Sequence, residues 1–274
     1  CSEILSAAAG PRMSGPSPWG AEPPLIDPAE FRKWIILEEA ELLVLNKPGW
    51  VVCHPSKRGP WSSLVGAARE YLTCERLHLV SRLDRETSGL VLIARNRKAA
   101  RDYQGALERG WAEKSYLAIL EGELGERREV SAPLERDPVS PVAVKVRVAR
   151  DGGGSKAQTS FIPVHTGGGF TLAEVIPYTG RKHQIRVHAQ WIGFPVAGDK
   201  LYGPDERLYL EFVERGWSER HARVLVHTRQ ALHASELRFP AGSVSRAFHA
   251  PLPEDFRGLA DSLWSDWSGS GVRS

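Results

Sequence analysis

From Phe31 onward the chain alternates short apolar runs with polar, Gly- or Pro-rich joints, and the spacing within each run predicts its element. Glu41-Leu-Leu-Val-Leu-Asn-Lys-Pro-Gly reads as a buried strand ending at the Pro48-Gly49 turn, and Trp50-Val-Val-Cys as a second, so a hairpin is expected. Ser62 is placed to cap a helix through about Leu72, because Leu64, Ala67, Ala68 and Tyr71 recur at helical spacing. Gly89-Leu-Val-Leu-Ile-Ala predicts a strand, and Ala99, Tyr103, Ala106 and Leu107 an amphipathic helix from Lys98 to Arg109. Strand-like segments follow at Ser115 to Glu121, Val142 to Val148, Gln158 to Val164 and Phe170 to Pro177, with Gly152-Gly-Gly and Gly167-Gly-Gly as turns between them. A helix over His183 to Ile192 and a late strand over Leu232 to Phe239 complete the pattern. Strands outnumber helices, which points to an α+β fold around a mostly antiparallel sheet.

The two ends lack this periodicity. Cys1 to Pro28 is rich in Ala, Gly, Ser and Pro without the basic start and apolar run of a secretory signal, and reads as a disordered leader over residues 1–30. Met13 is the single methionine, so translation is expected to begin there. The stretch 259–274 turns Ser-, Gly- and Trp-rich and reads as a flexible tail, which leaves one domain over 31–258.

Composition narrows the class only a little. With 274 residues, 42% hydrophobic and 25% charged, the chain falls in the globular range. The 36 Lys and Arg exceed the 33 Asp and Glu by a net +3, a mild excess that names no partner. Apolar runs are broken by Glu38, Glu39 and Glu41 long before the ~20 residues of a membrane span. Three cysteines without a CxxC argue against a disulfide framework or structural zinc, so a reducing, cytoplasmic setting is expected. His183 and His188 are five apart rather than the four of a helical zinc pair, and no metal site is expected. No P-loop or GxGxxG follows a strand, so no nucleotide cofactor has an anchor.

Two polar clusters carry candidate chemistry. His78-Leu-Val-Ser-Arg-Leu-Asp-Arg-Glu-Thr-Ser-Gly-Leu-Val-Leu-Ile-Ala sets a polar knot between two apolar runs. By pattern alone two readings stand: a connection whose Asp84 and Thr87 satisfy backbone groups, or a catalytic carboxylate presented at a strand end. Asp84 with Glu86 would suit a carboxylate-pair hydrolase only if their separation matched that chemistry. The second cluster, Pro177-Tyr-Thr-Gly-Arg-Lys-His-Gln-Ile-Arg-Val-His, is expected to open a helix whose first turn carries Arg181, Lys182 and His183, a combination of free N–H groups and cations that attracts phosphate. A solvated basic helix is the plainer alternative.

Taken together, these segments resemble the RluA-type pseudouridine synthases, whose central motif appears here as Arg82-Leu83-Asp84-Arg85-Glu86-Thr87-Ser88-Gly89. The likeness extends through Asn46-Lys47-Pro48-Gly49, His54-Pro55, Lys114-Ser115-Tyr116, Thr179-Gly180-Arg181, His183-Gln184-Ile185-Arg186-Val187-His188 and Gly198-Asp199-Lys200-Leu201-Tyr202-Gly203. Leu232-His233-Ala234 and Ala250-Pro251-Leu252-Pro253 continue it in order, so it covers about Ile36 to Phe256.

The resemblance implies the catalytic fold of that family and cofactor-free conversion of uridine to pseudouridine in ribosomal or transfer RNA; a monomer is expected because it suits an enzyme that must wrap an RNA stem-loop. It assigns Asp84 as the catalytic aspartate, acting as nucleophile or as base, Arg186 as its ionic partner, and Tyr116 as the residue that stacks on uracil or moves a proton. It also assigns Arg82 to the space vacated by a flipped-out nucleotide or to the neighbouring RNA, with Arg181, Lys182 and His183 holding phosphates. Ser81 stands where the family most often has His, and Lys182 where a small hydroxyl residue is usual; both read as changes in specificity. The N-terminal S4 module frequent in the family is expected to be absent, since only the low-complexity stretch precedes Phe31. Asp205 to Arg223 is where an insertion contacting substrate, or a surface helix, is expected. The competing class is a degenerate RNA-binding protein that has lost turnover.

Overall fold

The computed structural model describes residues 25–54, 59–240 and 245–267. In chain order the elements are α1 (Pro28–Lys33), β1 (Ile35–Glu38), β2 (Leu42–Lys47), α2 (Leu64–Leu72), β3 (His78–Leu79), β4 (Ser88–Ala94), α3 (Arg97–Glu108), β5 (Glu113–Glu121), β6 (Arg128–Ser131), β7 (Leu134–Arg136) and β8 (Val146–Val148). They continue with β9 (Gln158–Gly167), β10 (Phe170–Pro177), α4 (Gln184–Trp191), α5 (Arg207–Arg215), α6 (Glu219–Val224), β11 (Leu232–Phe239), β12 (Arg246–His249) and α7 (Glu254–Leu263). The fold class is α+β. The described residues divide into two compact units, one built from 25–114 with 233–252, the other from 115–232 with 253–267.

In the first, the Asp84 unit, β4 is buried along its whole length because Ser88 to Ala94 is paired on both sides. It lies antiparallel to β2, with Leu42 opposite Ala94 and Lys47 opposite Gly89. Its other edge is shared: β11 runs parallel beside Ser88 and Gly89, while β3 pairs antiparallel with Ile93 and Ala94. The chain therefore leaves β3, loops through Ser81 to Thr87 and re-enters the sheet at the start of β4. Phe31, Leu43, Leu45, Leu64, Ala68 and Val91 form one apolar cluster beneath it.

The second, the Arg186 unit, stacks β5, β10, β9 and β6 as successive antiparallel neighbours. Helix α4 covers them through Ile185 and Ala189, which join Ala118, Leu120, Phe161 and Val175 in a core cluster. Strands β7 and β8 form a separate antiparallel pair beside it. Their residues Leu134 and Val146 pack with Val187, Leu201 and Tyr202.

Several sequence expectations need correction. Trp50-Val-Val-Cys is not a strand: Trp50 takes the left-handed conformation at φ 74°, and β2 finds its partners in β1 and β4 instead. Ser63, not Ser62, caps α2, accepting from the Gly66 N–H at 3.2 Å, while Ser62 ends a 3-10 turn and donates to the Gly59 carbonyl. Only Val146–Val148 of the segment from Val142 is extended.

At both ends the described residues reach into the stretches that the sequence suggested as leader and tail. Ile26 is buried and its N–H donates to the Trp61 carbonyl, and Asp27 caps α1, so residues 25–30 belong to the Asp84 unit. At the other end α7 reaches Leu263, Leu259 and Ala260 are buried, and Trp264 Nε1 donates to the Gly167 carbonyl at 2.9 Å. The expectations for 1–24, Met13 included, and for 268–274 fall outside the described residues.

Asp205 to Arg223 forms two helices, α5 and α6, anchored by buried Leu208, Phe212 and His221. The Lys200 ammonium, which donates to the Thr228 carbonyl at 2.7 Å, sits 4.6 Å from the Phe212 ring centroid.

Candidate active site

Asp84 lies half-buried in the β3–β4 loop, and the residues on either side of it are held by their backbones. Lys47, at the end of β2, is fully buried, and its ammonium donates to the carbonyls of Pro48, Val51 and Arg85 at 2.9, 3.0 and 3.0 Å. A buried ammonium is tolerated only when its donors are met. Here those bonds tie the Pro48–Val51 turn to the residue after Asp84. On the other flank the Leu83 N–H donates to Cys53 Sγ, and the thiol donates back to the Leu83 carbonyl, both at 3.5 Å. Burial pushes the Cys53 thiol up, against the opposing charge of Lys47, which keeps it a neutral packing group rather than a nucleophile.

The loop closes with the Thr87 N–H on the Asp84 carbonyl at 3.2 Å. Ser88 then donates from Oγ to His233 Nδ1 at 3.0 Å, because His233 Nε2 carries the proton given to the Ala250 carbonyl at 3.1 Å. Gly89 has φ 111°, and a Cβ there would sit 2.2 Å from the Ala234 carbonyl oxygen, so the last residue of the motif must be glycine. Arg82 is exposed, with Nη1 3.5 Å from His54 Nε2. Ser81 Oγ is buried without a hydrogen-bond partner among the described residues.

In the Arg186 unit the basic segment is arranged differently from the expectation. Helix α4 begins at Gln184, and His183 sits ahead of it in the left-handed region at φ 54°. Arg181 and Lys182 thus occupy an exposed turn rather than the helix's first turn. Gln184 builds that turn: its side-chain oxygen accepts from Thr179 Oγ1 at 2.7 Å and the Arg181 N–H at 3.0 Å. Its amide donates to the Gln158 carbonyl and Thr159 Oγ1, both at 2.9 Å. Thr159 passes the chain on to His188 Nδ1 at 2.8 Å, and His188 Nε2 donates to the Ala132 carbonyl. Both ring nitrogens of His188 are occupied, and burial lowers its pKa, so it stays neutral.

Arg186 is buried and gripped by Asp199, with Nε 2.6 Å from Oδ2 and Nη2 2.9 Å from Oδ1. Asp199 is fully buried; burial alone would raise its pKa, but the Arg186 charge and hydrogen bonds and the N–H groups of Tyr202 and Leu201 outweigh it and hold the carboxyl below its ordinary range. The guanidinium lies 4.9 Å from the Tyr202 ring centroid. The Tyr202 hydroxyl accepts from the Val146 N–H at 3.0 Å and faces His183 Nδ1 at 2.8 Å. Two of the three guanidinium nitrogens are fixed in this way, which sets the direction of the third. Tyr116, half-buried on β5 opposite Val175, packs against the cluster that includes Ile185 of α4.

Asp199, Tyr202, Lys47 and Gln184 are the residues that sequence reasoning quoted without a role. Each lies inside a motif block, so that was the available signal, but its partner is set by tertiary contacts. Among the described residues there is no cluster of three or more metal-ligating side chains, and no helix is long and apolar enough to cross a membrane.

One unit thus holds a carboxylate loop clamped at its backbone, and the other a buried, preoriented arginine and an exposed basic turn. The family model described as RNA pseudouridylate synthase matches residues 41–191. A Bacillus subtilis (strain 168) protein described as an uncharacterized RNA pseudouridine synthase, YjbO, is 35% identical over 232 residues, covering 82% of this chain and 74% of its own. The Vibrio vulnificus ribosomal large subunit pseudouridine synthase C is 35% identical over 243 residues, covering 86% of this chain and 70% of its own. The solved human RNA pseudouridylate synthase domain containing 4 superposes with a TM-score of 0.69 at 26% identity, covering 86% of this chain and 95% of its own. The chain belongs to the RNA pseudouridylate synthase family, in its RluA-type branch.

Proposed function

We propose that the chain isomerises specific uridines of structured RNA, ribosomal RNA first, with Asp84 as the catalytic carboxylate and without a cofactor. The observation that carries the reading is the two-sided backbone clamp on Asp84 by Lys47 and Cys53, which spends a buried ammonium on aiming one loop. Relatives described as ribosomal large subunit pseudouridine synthases support the RNA class.

In the reaction the N1–C1′ bond breaks, the uracil turns, C5 bonds to C1′, and the hydrogen on C5 leaves as a proton while N1 takes one up. Atoms and electrons balance within the nucleotide. Asp84 acts ionised, either on C1′ or on a sugar proton, and Arg186 has the role of its ionic partner. Tyr116 stacks on the detached ring and serves the proton transfer at C5. Arg82 takes the space of the extruded nucleotide, and Arg181, Lys182 and His183 hold phosphates on the turn that Gln184 builds.

The test is tritium release from bulk ribosomal and transfer RNA labelled at uridine C5, for the wild type and Asp84→Asn, with RNA binding measured for both. Release by the wild type, abolished by Asp84→Asn with binding retained, supports the reading and names the RNA pool. Binding without release from either pool would overturn it in favour of an RNA-binding protein without turnover.

A further inference from the structure

We propose a second RNA-contacting site, on the Asp84 unit: the groove between α3 and β3 takes phosphates of the substrate strand, and Trp111 at its end stacks one unpaired base. The proposal rests on the RNA-substrate reading above and extends it to residues outside both motif clusters. The groove has a volume of about 570 Å³ and is lined by His78, Arg97, Arg101, Gly105 and Arg109 among others.

Helix α3 turns Ala99, Ala100, Tyr103 and Ala106 into the core. Arg97 and Arg101 stand exposed one turn apart, about 5–6 Å between their Cβ atoms. Like charges at this spacing weaken an isolated helix, so the fold gains nothing from the pairing, whereas two adjacent phosphates would neutralise both. Asp102, a carboxylate in the same lining, is already paired with Lys98 at 3.2 Å, which leaves the arginine forks opposed mainly by Glu108. Gln104 Nε2 donates to the Leu79 carbonyl at 2.9 Å, fixing α3 to β3 as a rigid floor.

The far end is built for a planar ligand. Gly105 sits inside the helix at a cost of about 1 kcal/mol relative to Ala. A Cβ there would lie 2.9 Å from Arg109 Nη2, so the bare backbone gives the guanidinium room to lie along the groove. Arg109 covers one side of Trp111, with Cζ 4.2 Å from the ring centroid, and Trp111 remains 51% exposed. The indole is also fixed at its backbone, since Gly110 turns the chain at φ 70° and the Trp111 N–H donates to the Ala106 carbonyl at 2.9 Å. A preoriented, half-covered indole at one end of a groove lined by three arginines matches a strand that alternates phosphate and base better than an acidic peptide, which would use the arginines alone.

The experiment compares the wild type with the double variant Arg97→Glu/Arg101→Glu, with Trp111→Ala and with Arg101→Lys. It measures filter binding of end-labelled bulk ribosomal RNA fragments across a salt series and tritium release at saturating RNA. The expected result is a loss of affinity of about tenfold or more for the double variant, with the slope of log affinity against log salt shallower by about 1.4–1.8. Trp111→Ala is expected to weaken binding at least about fivefold with an unchanged salt slope, and Arg101→Lys to keep wild-type affinity. All are expected to reach the wild-type rate at saturation.

Wild-type affinity and slope in both the double variant and Trp111→Ala would overturn the proposal, as would a slower saturated rate with unchanged affinity. If the wild type releases no tritium yet the variants still bind more weakly, the groove stands and the catalytic reading fails. If the wild type binds no RNA, both fail.

Discussion

At the scale of single residues, Arg186 and Asp199 carry the most weight, because two opposite charges are taken out of water together and each is intelligible only through the other. Removing one partner of such a pair strands a buried charge. Asp199→Ala is therefore expected to lower stability by about 3–5 kcal/mol in urea unfolding. Arg186→Lys keeps the charge but loses the two-pronged grip, and is expected to reduce tritium release at least tenfold at saturating RNA while leaving RNA affinity within about twofold. Wild-type turnover in Arg186→Lys would remove this arginine from the mechanism. Sequence alone singles out Arg186 through its motif but gives no hint of Asp199, which lies thirteen residues away, across the end of α4, and which nothing in the local pattern couples to it. Lys47 was hidden for a related reason, since a lysine at a strand end ordinarily reads as solvated and its three carbonyl acceptors come from a turn and a distant loop.

Among the elements, the best-read were those whose burial is complete or one-sided. β4, α3, β10 and β11 match their expected segments to within a residue or two, because an unbroken apolar run or a clean helical stripe leaves one solution. The errors fell where one residue's backbone overrides the pattern. Trp50 and His183, both left-handed, abolish a predicted strand in one case and shorten a predicted helix in the other. In the second case the consequence is functional: Arg181 and Lys182 project from a turn that Gln184 pins, not from a helix start. The β4 entry supplies a sharp test. Gly89→Ala must accommodate a Cβ 2.2 Å from the Ala234 oxygen at a φ of 111°, so it is expected to cost about 3 kcal/mol or more. A melting temperature equal to wild type would show that the β4–β11 junction yields.

For the molecule as a whole, acid is the informative variable. His188 and His227, both buried in the Arg186 unit, have pKa values lowered first of all by burial. In each, the unfolded chain binds a proton more readily than the folded one below about pH 6.5, so their contribution is present above that pH and lost as pH falls through the lower folded values. Asp199 and Asp255 are held below the ordinary carboxylate range despite burial, and their contribution is lost only at pH values below about 4. Unfolding free energy measured from pH 8 to pH 3 is expected to decline in two stages, the first setting in as pH falls below about 6.5 and the second below about 4. A flat profile down to pH 5 would mean that both imidazoles are protonated without penalty. What the sequence determined by itself was the order of elements, the α+β class, the motif residues and the family they resemble, because periodicity and turn chemistry are local and act within a few residues. What only the tertiary structure decided was which groups hold the motif residues in place. Lys47 on the Arg85 carbonyl, Asp199 on Arg186 and the arginine groove beside Trp111 depend on burial and on contacts between distant segments, and neither quantity is written in any local stretch of chain.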